Sequence, residues 1–357
     1  MIHPSTIKTL IATLLCWSVA TTIEAQGVKA GIDAYGFFDN SEGDDTYRTA
    51  LTHSGIRLTP RLEVSSNNDG HHLVGGYAFY QEFGEGKMGK GHPEMYYKYN
   101  GKKLRVLFGC FPRTLIHEQL PDYLVCDSIR YYRPEMSGFD FLYTTEKGHL
   151  EVFCDWTQLR SETEREQFMA GLTTRFRLGR HFQLGIEGYL YHYALKWNND
   201  DHSIHEVITG HPFVGWLSDD VAKGLQLDFR AGMLIQADRD RAEGEGTWHC
   251  PLGFVGDLGA DWKRFSLHET FYAGKRQQYF GNDGFGKYYW GDTFLQSPWY
   301  SRTDLAYRIA QHKNAQLEAR CVFNVTDKGL QWHQMLTLRC GFDFDIKKKK
   351  IANQQSK

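Results

Sequence analysis

The residues best placed for chemistry in this sequence are a serine, a histidine and an aspartate that lie close together in the chain. Ser266 and His268 share one face of a segment in which apolar and polar residues alternate, and Asp261 lies just before that segment. A hydrolase needs such a nucleophile, base and orienting carboxylate in contact. Residues two apart on a strand are common by chance, however, and no glycine-flanked nucleophile motif surrounds Ser266. We therefore predict that the protein has no catalytic residues and is not an enzyme.

Histidines raise the separate question of a metal site, because the chain contains 16 of them. His202, His205 and Glu206 fall in a segment predicted to be a loop, without the spacing on a defined helix or strand that metal ligands usually show. Beyond Cys16, the cysteines include no pair with the spacing of a zinc ribbon or a redox motif. We predict neither a metal site nor a cofactor.

The elements that must position any functional side chain are segments with a two-residue period. In residues 316–325, for example, the apolar positions run from Leu317 to Val325, and Glu318 and Arg320 lie between them. Successive side chains of a strand point to opposite faces, so each segment has one apolar and one polar side. Many segments are about ten residues long, which is the length that a tilted strand needs to cross a bilayer, whereas soluble strands average about five or six residues.

The connections between these segments alternate in length. Long, polar connections such as 112–137 and 274–297 are interleaved with tight ones such as Asn100–Gly101 and Glu146–Gly148. This pattern is typical of a membrane barrel, whose tight turns face the periplasm and whose loops face outwards. The sequence therefore predicts an all-β fold, a closed antiparallel up-and-down transmembrane β-barrel of about sixteen strands, within about two strands either way.

Composition agrees with an exported barrel. The mean hydropathy of -0.51 leaves room for a barrel, because a membrane barrel is apolar only at every second residue. The net charge of -2 argues against a nucleic-acid partner. We predict a signal peptide over residues 1–25, the barrel over 26–346 and a disordered lysine-rich tail over 347–357. The aromatic content of 15% fits the two aromatic girdles of a barrel, although a soluble glycan-binding β-sandwich or propeller would share it.

Several short blocks resemble porin-like outer-membrane barrels of Bacteroidota. These blocks are Gly31–Asn40, Phe108–Arg113, Tyr131–Pro134 and the pair Asp155-Trp156. The position of the long connection 112–137, third in external order, is similar to that of the constriction loop of general porins. One departure is the C-terminus, because porin chains usually end at an aromatic residue, whereas here a lysine-rich tail follows Phe344.

The function predicted from this fold is passive, porin-like passage of small polar or anionic solutes across the bacterial outer membrane. The other prediction we keep is a barrel with a closed lumen that acts as a surface adhesin or an assembly partner. The expected partners are outer-membrane lipid, lipopolysaccharide and small polar solutes, and a homo-oligomer is compatible with the sequence. We expect arginines on the polar faces and in the long loop to line the pore and its constriction, namely Arg57, Arg61, Arg113, Arg130, Arg133, Arg230 and Arg320.

Overall fold

A computed structural model describes most of the chain between residues 27 and 347. The described residues are 27–66, 70–86, 89, 91–197, 203–222, 224–242, 246–281 and 288–347. The predicted signal peptide and the predicted tail after Lys347 lie outside these residues. Lys347 itself is the last residue of the final strand.

Sixteen strands form a closed barrel in which each strand pairs antiparallel with its neighbours in the sequence, and the first strand pairs with the last. This architecture confirms the predicted fold and strand number. The strands are β1 (Gly27–Gly43), β2 (Thr52–Ser65), β3 (His71–Glu82), β4 (Gly91–Asn100), β5 (Leu104–Pro112), β6 (Glu135–Thr145), β7 (Gly148–Gln158), β8 (Gln167–Leu178), β9 (Phe182–Tyr193), β10 (His205–Ala222), β11 (Leu225–Asp240), β12 (Leu252–Trp262), β13 (Phe265–Gly274), β14 (Trp299–His312), β15 (Ala315–Thr326) and β16 (Leu330–Lys347).

The two-residue period of the sequence becomes an inside and an outside of the wall. On β12, Phe254 is 43% exposed on the outer face, whereas its neighbour Val255 and the lumen-facing Asp257 are buried. Lipid offers no hydrogen bonds to backbone groups, so only a closed sheet can present such an apolar outer face to it. The outer face is therefore the surface that meets lipid, and the polar residues face the lumen.

Tight turns join the strands at one end of the barrel and longer connections join them at the other; we call these the turn end and the loop end. Gly179 and Gly224 have positive φ angles of 70° and 83° in two of the tight turns, a conformation that costs glycine little. No helix in the described part of the chain has the length and apolar character needed to cross a membrane.

Two long connections fold into the lumen and fill part of it. Loop 113–134 contributes Tyr123 and Leu124, and loop 275–298 contributes Trp290, Phe294 and Leu295, all at most 3% exposed. Loop 113–134 also contains a short helix, α1 (Ile129–Tyr132). The inward fold of the first loop agrees with the constriction-loop position that the resemblance to general porins implies for the connection 112–137.

The sequence pattern places the long connection 274–297 outside the barrel, and residues 282–287 of it lie outside the described part of the chain. That placement is wrong for the residues that follow. Residues 288–297 turn into the barrel because their large apolar side chains find burial there, among lumen-facing residues such as Tyr189 and Tyr191.

We expect Trp290→Ala to destabilise the barrel, because Trp290 is fully buried where the two inserted loops meet. The expected loss is about 3–5 kcal/mol of the free energy of unfolding, the usual cost of truncating a large buried aromatic side chain. Urea-induced unfolding in lipid vesicles measures it. The matched control is Trp197→Ala, since Trp197 is 61% exposed and its loss should cost no more than about 0.5 kcal/mol. Equal losses for both variants would contradict the packing described here.

Candidate functional site

Arg302 ties both inserted loops to the barrel wall. Its guanidinium on β14 lies 2.9 Å from Asp122 and 3.2 Å from Asp127 of loop 113–134, and 3.3 Å from Asp292 of loop 275–298. The Arg302 side chain is 1% exposed. Burial raises the pKa of the Asp292 carboxyl, although the Arg302 charge favours its ionised form. A buried arginine surrounded by carboxylates fixes the two loops relative to the wall.

A second buried network surrounds Arg230 on β11. Its guanidinium contacts Glu187 at 3.0 Å and also Asp257. Glu187 accepts a hydrogen bond of 2.6 Å from the hydroxyl of Tyr123 in loop 113–134. This arrangement places Arg230 in the packed part of the lumen, on the side where the inserted loop contacts the wall.

The residues considered for a hydrolase triad do not form one. Ser266 donates a hydrogen bond to Asp261. His268 pairs instead with Asp257, at 2.9 Å. Asp257 in turn accepts a hydrogen bond from Thr270. These side chains therefore serve the charge network of the lumen wall.

Open space remains in the lumen beside β1, β2, β15 and β16. One cavity of about 640 Å³, the arginine cavity, has Arg57, Arg113, Arg320 and Arg339 in its lining. Another cavity, of about 810 Å³, lies towards the loop end, and the two share Arg57 and Pro134 in their linings. Arg57 stands where the two spaces meet.

Tyr35 holds two of the cavity arginines in place. The guanidinium groups of Arg57 and Arg339 lie 5.7 and 5.4 Å from the centre of the Tyr35 ring. Arg57 also reaches Glu135 at 3.4 Å. Cations stacked on an aromatic face keep hydrogen-bond donors free for other ligands.

The structure brings together only some of the arginines predicted to line a pore. Arg57, Arg113 and Arg320 meet at the arginine cavity. Arg320 is also paired with Asp304 and Glu318, at 3.2 Å each. Arg339 also lines this cavity. It lies on the polar face of β16, but it was not among the predicted residues.

The other predicted arginines are engaged elsewhere. Arg61 pairs with Asp33 and Asp343 towards the turn end. Arg133 donates a hydrogen bond of 3.0 Å to the Thr157 carbonyl and lies over the Trp290 ring. The Arg130 side chain is outside the described part of the structure.

A different set of functional groups lies on the outer face of the barrel, at the loop end. His192 on β9 is directly opposite Glu206 on β10, and Glu206 is directly opposite Arg239 on β11. The three side chains occupy the same alternate positions of their strands as the apolar residues that face outwards. Just beyond β11, Arg241 reaches Glu206 at 2.7 Å. We call His192, Glu206, Arg239 and Arg241 the rim cluster.

The geometry of the rim cluster leaves one histidine nitrogen available. His192 Nδ1 lies 3.6 Å from a Glu206 oxygen, so the other ring nitrogen is turned away from that carboxylate. Glu206 also accepts hydrogen bonds from Arg239 and Arg241. The His192 and Glu206 side chains are 22% and 16% exposed. A histidine beside a carboxylate is the arrangement of a general base.

Aromatic side chains mark the depth of the rim cluster in the membrane. The His192 ring lies 5.1 Å from that of Phe168, which in turn lies 5.1 Å from Trp156. Trp248 covers the guanidinium of Arg239 at 4.3 Å. Tryptophans in a barrel gather at the membrane–water interface. The cluster therefore lies at the level where polar headgroups meet acyl chains.

Sequence reasoning missed the rim cluster for an identifiable reason. It assigned every polar phase to the lumen and placed Glu206 in a loop, whereas β10 begins at His205. The sequence does contain one signal. His192 continues the series Ile186, Gly188 and Leu190, whose two-residue spacing places all of them on the apolar, outer face.

Solved structures with a similar shape are outer-membrane proteins. The chain superposes on OmpT of Vibrio cholerae, in a variant that lacks loop L8, with a TM-score of 0.52 and 10% identity, over 88% of this chain and 100% of that one. It also superposes on OccAB1 of Acinetobacter baumannii with a TM-score of 0.50 and 8% identity, over 90% and 99%. At such identities the likeness concerns the fold, which supports an outer-membrane location. The Bacteroidota part of the predicted resemblance stays a prediction.

No curated protein matches the chain in sequence. The model of the lipid A 3'-O-deacylase-type family matches residues 20–349. A deacylase is an enzyme, so this match overturns the prediction that the protein is not an enzyme. That prediction failed because it looked for a nucleophile motif within a single strand. With almost its whole length matched, the chain belongs to the lipid A 3'-O-deacylase-type family.

Proposed function

We propose that the protein hydrolyses an acyl ester of lipid A at the rim cluster. The observation that carries the proposal is the His192–Glu206 pair on the outer face at the membrane interface. An ester that joins an acyl chain to a sugar headgroup lies at that depth, so the substrate reaches the pair without leaving the membrane. The family to which the chain belongs supports the reaction class.

The pair supplies general base catalysis. Glu206 orients His192 and stabilises its protonated form, and the free ring nitrogen removes a proton from a water molecule. The water oxygen attacks the acyl carbonyl carbon, and a tetrahedral oxyanion forms. The bond between this carbon and the sugar oxygen then breaks, and His192 returns the proton to the sugar oxygen. The products are a free fatty acid and a lipid A with one free hydroxyl.

The arginines of the cluster suit an anionic lipid. Arg239 and Arg241 engage Glu206 through some of their N–H groups, and a guanidinium carries five such donors. The remaining donors are available for a headgroup phosphate or for the oxyanion. Arg241, whose side chain is 46% exposed, is the more accessible of the two.

We expect His192→Ala to lower fatty-acid release from lipopolysaccharide by about a hundredfold or more, the usual contribution of a positioned base. Purified protein in mixed micelles with lipopolysaccharide, followed by mass spectrometry of the lipid A, gives the rate and the ester cleaved. Glu206→Gln should lower the rate by a smaller factor, because the histidine remains.

The matched control is His181→Ala. His181 also stacks on an aromatic ring, that of Trp216, but at the turn end next to the start of β9. Its loss should leave the rate unchanged. Full activity of His192→Ala would rule out the rim cluster as the active site, and absence of any release by the native protein would rule out the proposed reaction.

Passage of small anions through the lumen is a second candidate function, favoured by the two cavities that meet at Arg57. Arg57 and Arg339, which lie beside the Tyr35 ring, would supply the local positive charge that attracts anions at this point of the path. In this second proposal, the predicted arginines that line the arginine cavity, Arg57, Arg113 and Arg320, also line the pore. Neither the family match nor the structural matches support the surface-adhesin alternative.

We expect Arg57→Ala to shift the reversal potential of the protein in planar bilayers towards cation selectivity, since it removes the charge at the junction of the two cavities. The control is Arg308→Ala, because Arg308 donates a hydrogen bond of 2.7 Å to the Lys263 carbonyl at the turn end, away from the cavities. A bilayer without conductance steps, or the same reversal potential in both variants, would contradict the channel.

A further inference from the structure

A carboxyl group occupies the lipid-facing surface in the middle of the barrel wall. Glu269 shares the outer face of β13 with Leu267 and Phe271, and it lies four residues from the turn-end aromatic Phe265 and five from Gly274. Phe271 is 43% exposed on this face. Charged residues are costly at this depth of a membrane barrel, because lipid provides no hydrogen bonds.

Glu269 is not alone on this surface. The hydroxyl of Ser301 donates to one of its oxygens at 2.6 Å, and the hydroxyl of Thr303 donates to the other at 2.5 Å. Both donors are on the outer face of β14, where Leu305 is 45% exposed. The three side chains form a polar site on an apolar wall. Each carboxylate oxygen keeps a lone pair that no lipid chain can satisfy.

A polar donor lies on the same wall, three strands away. Gln334 faces outwards from β16, between the half-buried Trp332 and the exposed Leu336, and it is itself exposed. Its side-chain amide has no hydrogen-bond partner among the residues that the structure describes. Between the two polar positions, Cys321 of β15 is exposed on the outer face and directly opposite Gln334.

Register places the two polar positions at similar depth. Glu269 is opposite Thr303, Thr303 is opposite Phe323, and Phe323 is opposite Trp332. Gln334 follows Trp332 by two residues, towards the turn end. Because strands in a barrel are tilted by about 40°, a line across three strands changes depth by about 9 Å, and two residues restore about 5 Å of it. Glu269 and Gln334 therefore differ in depth by about 4 Å, which is less than the length of either side chain.

We propose that the outer face of β13–β16 is an interface with a second copy of this chain. A two-fold axis along the membrane normal sets the two faces opposite each other with left and right exchanged, so the β13 side of one copy meets the β16 side of the other. The Gln334 amide of each copy then donates to the Glu269 carboxylate of the other. Both polar groups are satisfied twice, and Cys321 lies near the axis.

The geometry of the barrel favours a second copy over another occupant. The surface is complementary to itself, since it carries the acceptor at one edge and the donor at the other. The rim cluster is on β9–β11 and the neighbouring loop, so a contact through β13–β16 leaves it open to lipid. The interface does not depend on the proposed reaction, and its test does not use activity.

Cys321 provides a native probe. We expect mild oxidation of the protein in lipid vesicles to link two chains through Cys321, giving a dimer in denaturing electrophoresis that reductant dissociates. Cys321→Ser should abolish the linked species, and Cys110→Ser, on β5, should leave it unchanged. Linkage that survives when Cys321 and Cys340, the second cysteine on the outer face of β13–β16, are both replaced by serine would place the contact on another face and overturn the proposal.

The hydrogen bonds are tested by variants at the two polar positions. Glu269→Leu and Gln334→Leu should each raise the dimer dissociation constant in vesicles by about tenfold or more, measured by single-molecule photobleaching, whereas Glu269→Gln should keep a large part of the affinity. Heat-modified migration of each variant in electrophoresis checks that the barrel has folded. A native protein that stays monomeric, or a Leu variant that dimerises as tightly as the native chain, would overturn the proposal.

Discussion

Backbone hydrogen bonding in lipid is the constraint on which this structure depends. Lipid cannot satisfy the N–H and C=O groups of a strand, so the sheet has to close, and β1 pairs with β16 to complete it. Closure separates the two faces of every strand. Most of the residues that meet lipid are apolar, and most charged residues are enclosed where they can pair. The lumen then accommodates groups such as Arg302, whose burial among aspartates would be untenable on the other face.

This separation also keeps the two candidate activities apart. The arginine cavity belongs to the lumen and is formed by β1, β2, β16 and the inserted loop. The rim cluster belongs to the outer face of β9–β11, where aromatic residues mark the membrane interface. A solute in water reaches the first and a lipid reaches the second. One barrel therefore has room for chemistry on lipid without obstructing its lumen, and the filled side of the lumen supports the wall beneath the rim.

Much of the fold could be predicted from the sequence, because a two-residue period is a local signal. The strand number and the closed barrel followed from it, whereas the inward fold of loop 113–134 was expected from the position of that loop in the chain. The sites were harder to predict. His192 and Glu206 are 14 positions apart and come together only through strand register. The partners of Arg302 are in two loops far from it in the chain. The prediction of no enzyme, which the family match overturns, considered only Ser266 and His268, neighbours in sequence that have different partners in the structure.

Along each strand of the barrel, lipid touches one set of alternate side chains and water touches the next. Leu305 and Ala306 are adjacent on β14, with Leu305 on the outer face and Ala306 facing the lumen. Spin labels attached to a cysteine at either position, with the native cysteines replaced by serine, report their surroundings by paramagnetic relaxation in vesicles. We predict that oxygen dissolved in lipid relaxes the label at 305 more strongly and that a water-soluble nickel chelate relaxes the label at 306 more strongly. Equal responses at the two positions would contradict the account.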